Sequence, residues 1–117
     1  MQAEKKCEII VKALDSKKGL DIRLIKVSDI TALTEYFVLA TGTSSTQVRA
    51  LAEEAEFRMS QAGVEPHHTE GKSTGWILLD YGDVVVHVLN EQSREFYDLE
   101  RLWADGEKID ISDIIGE

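Results

Sequence analysis

The sequence predicts an α/β (α+β) fold in which a mixed five-stranded sheet is flanked by helices. Segments of helical periodicity alternate with short apolar runs in the order helix, strand, strand, helix, strand, strand, strand, helix. The stretch from Trp76 to Trp103 also joins two apolar strands through a short turn and then runs directly into an amphipathic helix. Strands that are apolar on both faces need the rest of the chain, or a partner, to cover them.

Length and composition indicate one soluble domain. With 117 residues, of which 43% are hydrophobic and 30% charged, the chain has the usual size and composition of a single globular domain. We expect this domain to span residues 1–103, with residues 104–117 as a C-terminal appendage. Cys7 is the single cysteine, which excludes an internal disulfide, and no apolar run reaches the roughly 18 residues of a membrane helix. Since the N-terminus also has no signal-peptide pattern, we expect a cytoplasmic protein without a membrane contact.

The charge of the chain is strongly acidic. It has 22 acidic and 13 basic residues, which gives a net charge of −9. A protein that grips nucleic acid through phosphates normally has a basic face, so we do not expect nucleic acid as the main contact. An acidic surface instead favours a basic protein partner, because opposite charge speeds the encounter.

The first half of the chain contains a helix and two strands. Between residues 3 and 14 the apolar residues recur at three- and four-residue steps, which predicts a helix with one buried stripe. Gly19 is well placed to stop this helix. Residues 21–27 predict a strand whose two faces are both partly covered, and residues 36–42 a more deeply buried strand, because that run is apolar without alternation.

The longest predicted helix follows a glycine-serine turn. Ser44 and Ser45 are candidates for its N-cap, and it runs to about Ala62. Its buried stripe consists of Val48, Leu51, Ala52, Ala55, Met59 and Ala62. Phe57 projects from roughly the opposite side and should be exposed. It is either an isolated surface aromatic, which is common, or part of a self-association surface.

The hairpin of residues 76–90 divides its side chains between two faces. In the first strand one face carries Trp76, Leu78 and Asp80 and the other carries Ile77, Leu79 and Tyr81. In the second strand Val84, Val86 and Val88 oppose Val85, His87 and Leu89. One face of the hairpin must pack against the helices. The other combines a tryptophan, a leucine and acidic residues, which suits a protein interface with apolar anchors and an acidic rim.

Two further elements flank this hairpin. Residues 64–71 predict a short polar strand at the edge of the sheet. In the helix after the hairpin, the buried stripe consists of Phe96, Leu99, Leu102 and Trp103. Tyr97 lies off this stripe, so it should be a second exposed aromatic near the hairpin. In the tail, Ile109 and Ile111 alternate as in an edge strand.

The turn at Gly42–Ser45 could support chemistry, because a helix N-terminus after a glycine turn offers free N–H groups to a phosphate. A nucleotidyltransferase would also need closely spaced carboxylates on a following strand to hold two Mg²⁺ ions. The sequence has none there, since the next acids, at positions 53, 54 and 56, lie on the polar side of the long helix. Two interpretations remain, a tight turn with a serine cap or a divergent nucleotidyltransferase site.

The histidines do not predict a metal site. His67 and His68 are adjacent on an extended segment, so their side chains point to opposite faces. With Glu70 and His87 they form no recognised zinc spacing, and we expect neither a metal nor another cofactor. His87 lies among valines and a leucine, as is typical of a histidine at the border of a core.

Four segments together resemble the ribosomal silencing factor family, also called the Iojap family. They are TGTSS (41–45), EG (70–71), WILLDYGDVVVHV (76–88) and REFYDLERLW (94–103). The resemblance covers nearly the whole chain up to Trp103, and the combination is far more specific than any one segment.

This resemblance implies a non-enzymatic factor with a nucleotidyltransferase-like topology that lacks the catalytic carboxylates. Members of the family are similar in forming homodimers and in binding ribosomal protein fourteen of the large subunit. Such a factor blocks association with the small subunit sterically and represses translation under nutrient limitation.

Carried over to this sequence, the resemblance implies a partner-binding set of Trp76, Leu78, Asp80 and Asp83, with His87 and Tyr97 as neighbours. Trp76 and Leu78 would be apolar anchors, and the two aspartates would pair with Lys or Arg of a basic ribosomal protein. The alternative for Trp76 is a buried core residue. In that case Trp76→Ala would lower the melting temperature, whereas loss of an anchor would weaken binding with little change in melting.

Overall fold

A mixed sheet of six strands forms the centre of the fold. The computed structural model describes residues 1–71, 75–97, 101 and 104–115. In chain order the elements are α1 (Ala3–Ser16), β1 (Leu20–Lys26), β2 (Tyr36–Gly42), α2 (Ser45–Gln61), β3 (His68–Glu70), β4 (Trp76–Asp80), β5 (Val84–Asn90), α3 (Glu91–Tyr97), β6 (Glu107–Ile109) and α4 (Ser112–Ile115). The strand order is β3-β4-β5-β2-β1-β6, with β2 and β5 parallel and the other neighbours antiparallel. The predicted fold class is confirmed, with six strands instead of five.

β2 lies inside the sheet, and all of its residues are buried. Val38 and Ala40 belong to the large core formed with α1 and α2. Phe37 and Leu39 belong to a smaller cluster on the opposite face, together with Ile25, Val27 and Leu89. The run without alternation therefore reflects burial on both faces, as the sequence predicts.

α1 has the predicted buried stripe, but its end differs from the prediction. The helix stops at Ser16, and the residue with a left-handed backbone is Lys18, with φ 62°, not Gly19. Gly19 is needed for close packing instead. A Cβ at this position would lie 3.0 Å from the carbonyl oxygen of Leu14 and 3.2 Å from the Leu51 side chain.

α2 begins with the predicted serine cap. The Ser44 hydroxyl accepts a hydrogen bond from the backbone N–H of Gln47 at 3.1 Å. Of the predicted stripe, the buried members are Val48, Leu51, Ala52, Ala55 and Met59. Ala62 follows the last helical residue and is exposed, because the helix has ended before it. Phe57 is 57% exposed, as predicted.

The C-terminal segment completes one edge of the sheet. β6 pairs with β1, and Leu24 lies opposite Ile109. The isoleucines at positions 109, 111, 114 and 115 pack against the large core. Residues 98–100, 102 and 103 and the side chains of residues 96 and 97 lie outside the described part of the chain, so the apolar stripe predicted there stays a prediction.

We expect Tyr81→Phe to stabilise the protein. Tyr81 is 1% exposed, and its hydroxyl has no hydrogen-bond partner among the described residues. Removing a buried oxygen without a partner should raise the free energy of unfolding by about 1 kcal/mol. Urea denaturation measures this change. Tyr36→Phe is the matched control, because the Tyr36 hydroxyl donates to Glu4 at 3.0 Å and its loss should not stabilise. A less stable Tyr81→Phe variant would contradict the assignment.

Candidate functional site

The hairpin of β4 and β5 divides its side chains as the alternation predicts. Ile77 and Leu79 point into the core covered by α1 and α2, as do Val84, Val86 and Val88. Trp76, Leu78 and Asp80 lie on the other face and are half-buried. We call these three residues the hairpin surface. Trp76 is therefore neither a fully buried core residue nor a freely exposed one.

A hydrogen bond and a ring stack fix the orientation of Trp76. Its indole Nε1–H donates to Nδ1 of His87 at 3.1 Å. The His87 ring in turn stacks on Phe37, with the ring centroids 5.2 Å apart and the planes inclined by 19°. Because Trp76 and His87 are on adjacent antiparallel strands, the sheet itself brings them together. Phe37, His87 and Trp76 therefore form a continuous series of contacts from the smaller core cluster to the surface of the sheet.

His87 is 6% exposed, so it supports Trp76 from beneath and presents little of its ring to solvent. Burial lowers the pKa of its imidazole from 6.5 to about 4. The ring is thus neutral near neutral pH, as it must be for Nδ1 to accept the indole hydrogen bond.

The two aspartates at the hairpin turn also have structural contacts. The Asp80 carboxylate accepts a hydrogen bond from the backbone N–H of Gly82 at 2.8 Å. The Asp83 carboxylate lies 2.8 Å from Nζ of Lys6, an ion pair that ties the turn to α1. Both carboxylates remain only half-buried. Their predicted contact with a basic partner would therefore add to contacts that already hold the turn in place.

Tyr97 belongs to α3, but its side chain lies outside the described part of the chain, so its contact with a partner stays a prediction. α3 itself is anchored in two ways. Asn90 Oδ1 accepts a hydrogen bond from the backbone N–H of Ser93 at 2.7 Å. Arg94 is buried, donates to the Thr41 hydroxyl at 2.7 Å and lies 3.6 Å from the Asp21 carboxylate. The sequence gives no sign that Arg94 is buried, because a charged residue on a helix is usually solvated.

Thr43 and Ser44, in the turn at Gly42–Ser45, both form hydrogen bonds with Gln47 of α2. Gln47 Oε1 accepts from the backbone N–H of Thr43 at 2.6 Å and from its hydroxyl at 2.8 Å. A Cβ at Gly42 would lie 2.9 Å from Val48, so packing against α2 explains this glycine. A nearby cleft of about 590 Å³ includes three carboxylate residues around Arg94 in its lining, namely Asp21, Glu91 and Glu95. These features favour a tight turn with a serine cap over a nucleotidyltransferase site.

The structure does not bring the histidines together. His68 Nε2 lies 3.5 Å from the Glu70 carboxylate on exposed β3, whereas His87 is buried in the sheet. Within the described ranges, no three His, Cys, Asp or Glu residues are arranged to hold a metal ion. Among the helices described for this chain, none is both long and apolar enough to cross a membrane.

His87 should make the protein less stable in acid. The unfolded histidine takes up a proton below about pH 6.5, whereas the folded one does so only near pH 4, so stability falls between these values. The free energy of unfolding should drop by about 2 kcal/mol between about pH 7 and about pH 5 through this group alone. Urea titrations of wild type and His87→Gln at both pH values isolate the effect. If the free energy of unfolding falls equally in the two proteins, protonation of His87 is not the cause of the acid sensitivity.

The whole chain, residues 1–117, matches a family model described as ribosomal silencing factor during starvation. It is 39% identical over 104 residues to the ribosomal silencing factor of Chromobacterium violaceum, which covers 88% of this chain and 85% of that protein. A crystal structure of a protein from Chromobacterium violaceum is similar with a TM-score of 0.87 and 38% identity, over 89% of this chain and 88% of that one.

A more distant relative comes from mouse. It carries the name mitochondrial assembly of ribosomal large subunit protein 1 and is 30% identical over 100 residues, which covers 82% of this chain and 44% of that protein. The match over the full chain and the identity to bacterial relatives agree with the resemblance found in the four sequence segments. The chain belongs to the ribosomal silencing factor family.

Proposed function

We propose that this ribosomal silencing factor binds the large ribosomal subunit through ribosomal protein fourteen and sterically blocks association with the small subunit. It thereby represses translation under nutrient limitation. The observation that carries the proposal is the hairpin surface, where a half-exposed tryptophan is held in one orientation on the sheet face opposite α1 and α2. We infer that Trp76 and Leu78 are the apolar anchors of the contact.

Charge and preorganisation support a basic protein partner. The net charge of −9 gives long-range attraction to a basic ribosomal protein. The hydrogen bond to His87 fixes the Trp76 ring before binding. Association therefore costs less side-chain conformational entropy. Asp80 lies on the hairpin surface itself, where its half-buried carboxylate can face Lys or Arg of the partner. Asp83 lies at the turn beside it and already pairs with Lys6 of α1, so a basic side chain of the partner would be a second cation at this carboxylate.

The name of the mouse relative refers to the large ribosomal subunit, which supports the choice of this subunit as the partner. We propose a cytoplasmic homodimer, as the family resemblance implies. Phe57 is an unfavourable centre for its interface. The shallow depression beside Phe57 contains Glu53, Glu56 and Glu65, and a two-fold contact there would place like charges against each other.

We propose that the protein is not an enzyme. The hydrogen bonds of Thr43 and Ser44 to Gln47 occupy part of the Gly42–Ser45 turn, and the carboxylates of the nearby cleft would repel a nucleotide phosphate. The alternative, a divergent nucleotidyltransferase, rests on the glycine-serine turn alone. Turnover of labelled nucleotide with Mg²⁺ that disappears in Ser44→Ala would overturn this part of the proposal.

Trp76→Ala should weaken binding to isolated large subunits by about 2–4 kcal/mol, because a buried interface tryptophan is a typical hot spot. Co-sedimentation over a range of protein concentrations measures the affinity. Phe57→Ala is the matched control. It removes an exposed aromatic residue on α2, which covers the opposite face of the sheet, and it should bind as wild type does.

Melting curves must accompany these measurements, because Trp76 also bonds to His87. Weaker binding by a variant that melts as wild type does would identify an anchor. Wild-type affinity in a folded Trp76→Ala variant would contradict the role of the hairpin surface, and no binding by wild type would contradict the proposed function itself.

A further inference from the structure

The hairpin surface alone is small for a stable protein contact. A standard interface covers about 800 Å² on each partner. Three half-buried side chains on one strand supply only part of such an area. The contact must therefore continue onto a neighbouring part of the protein, and the structure offers one on the side of the hairpin turn.

The loop of residues 28–35 carries an unusual pair of exposed apolar side chains. Leu33 is 90% exposed and Ile30 is 40% exposed. The loop joins β1 to β2, and residues from it share a depression of about 450 Å³ with Gly82 and Asp83 of the hairpin turn. A single exposed leucine is ordinary on a protein surface, but this leucine lies on a loop that is held in place by hydrogen bonds.

Hydrogen bonds fix the loop at both of its ends. The backbone N–H of Val27 donates to the carbonyl of Glu35 at 2.8 Å, which closes the loop on itself. The backbone N–H groups of Glu35 and Tyr36 donate to the carbonyl of Asp83 at 3.0 and 3.1 Å, which joins the loop to the hairpin turn. The loop and the turn therefore form one continuous surface.

Leu33 is also held locally in an outward position. Its backbone N–H donates to the Thr31 hydroxyl at 3.1 Å, the pattern of a turn stabilised by a threonine side chain. An apolar side chain that is presented on a fixed turn can bind without much further ordering. Exposed carboxylates at Asp29 and Glu35 flank it on the same loop.

We propose that the loop of residues 28–35 is the second half of the ribosome-binding surface, with Leu33 inserting into an apolar recess on the basic protein of the large subunit. This inference rests on the proposed function and names an anchor beyond the hairpin. The acidic residues around Leu33 select a partner whose recess is bordered by Lys or Arg. The same residues disfavour a second copy of this chain, which would bring like charges together.

Two variants test the loop. Leu33→Ser should bind isolated large subunits about tenfold more weakly, because one leucine is no longer buried in the contact. Its melting temperature should not change, because Leu33 is exposed in the free protein. Phe57→Ser is the matched control, because it also replaces an exposed apolar residue, and it should bind as wild type does.

Cross-linking gives an independent answer. Cys7 is buried, and burial raises the pKa of its thiol to about 12, so a maleimide photo-cross-linker should react only with a cysteine introduced at the surface. Labelled Leu33→Cys should cross-link to a basic protein of the large subunit, and labelled Phe57→Cys should not.

The outcomes separate the two proposals. If wild type binds and Leu33→Ser binds equally well, the loop proposal is wrong and the proposed function stands. If wild type does not bind large subunits, the proposed function fails and the loop proposal fails with it. If Leu33→Ser changes self-association in sedimentation velocity and leaves ribosome binding unchanged, the occupant is a second copy and the loop proposal is overturned.

Discussion

The complete burial of β2 is the constraint on which the rest of the structure depends. This strand is hydrogen-bonded on both sides and apolar along its length, so both faces of the sheet have to be covered. α1 and α2 cover one face with a large core. On the other face, His87 covers Phe37 and Trp76 bonds to His87. The chain thus completes its second core with a tryptophan that stays half exposed, and the same residue becomes available to a partner.

The hairpin turn connects this core to the rest of the molecule. Asp83 contacts α1 through its carboxylate and the loop of residues 28–35 through its carbonyl. The proposed partner surface is therefore held from three directions, by the sheet, by α1 and by the loop. A surface held in this way has little conformational freedom to lose, so we expect more of the contact free energy to appear as affinity.

The elements that the sequence predicts well are those with a local pattern of burial. β2 and α2 and the two faces of the hairpin follow from apolar spacing alone, because each pattern extends over at least one full strand or several helical turns. β6 has only three residues, too few for an alternation that fixes its neighbour. The sequence also places the helix stop at Gly19, although the left-handed residue is Lys18 and the glycine serves close packing.

The contacts within the candidate site are harder to predict, because they depend on the assembled sheet. The Trp76–His87 hydrogen bond joins residues 11 apart, and the Lys6–Asp83 ion pair joins residues 77 apart. Spacing along the chain gives no sign of either. The burial of Arg94 is equally hard to predict from the sequence, because its hydrogen-bond partner Thr41 is 53 residues away along the chain.

The most direct test of the central claim is a subunit-joining assay. Purified large subunits are incubated with the protein, small subunits are added, and the assembled ribosomes are measured on a sucrose gradient. Wild type should prevent joining, whereas a folded Trp76→Ala variant should allow it. Full joining in the presence of bound wild-type protein would contradict steric silencing through the hairpin surface.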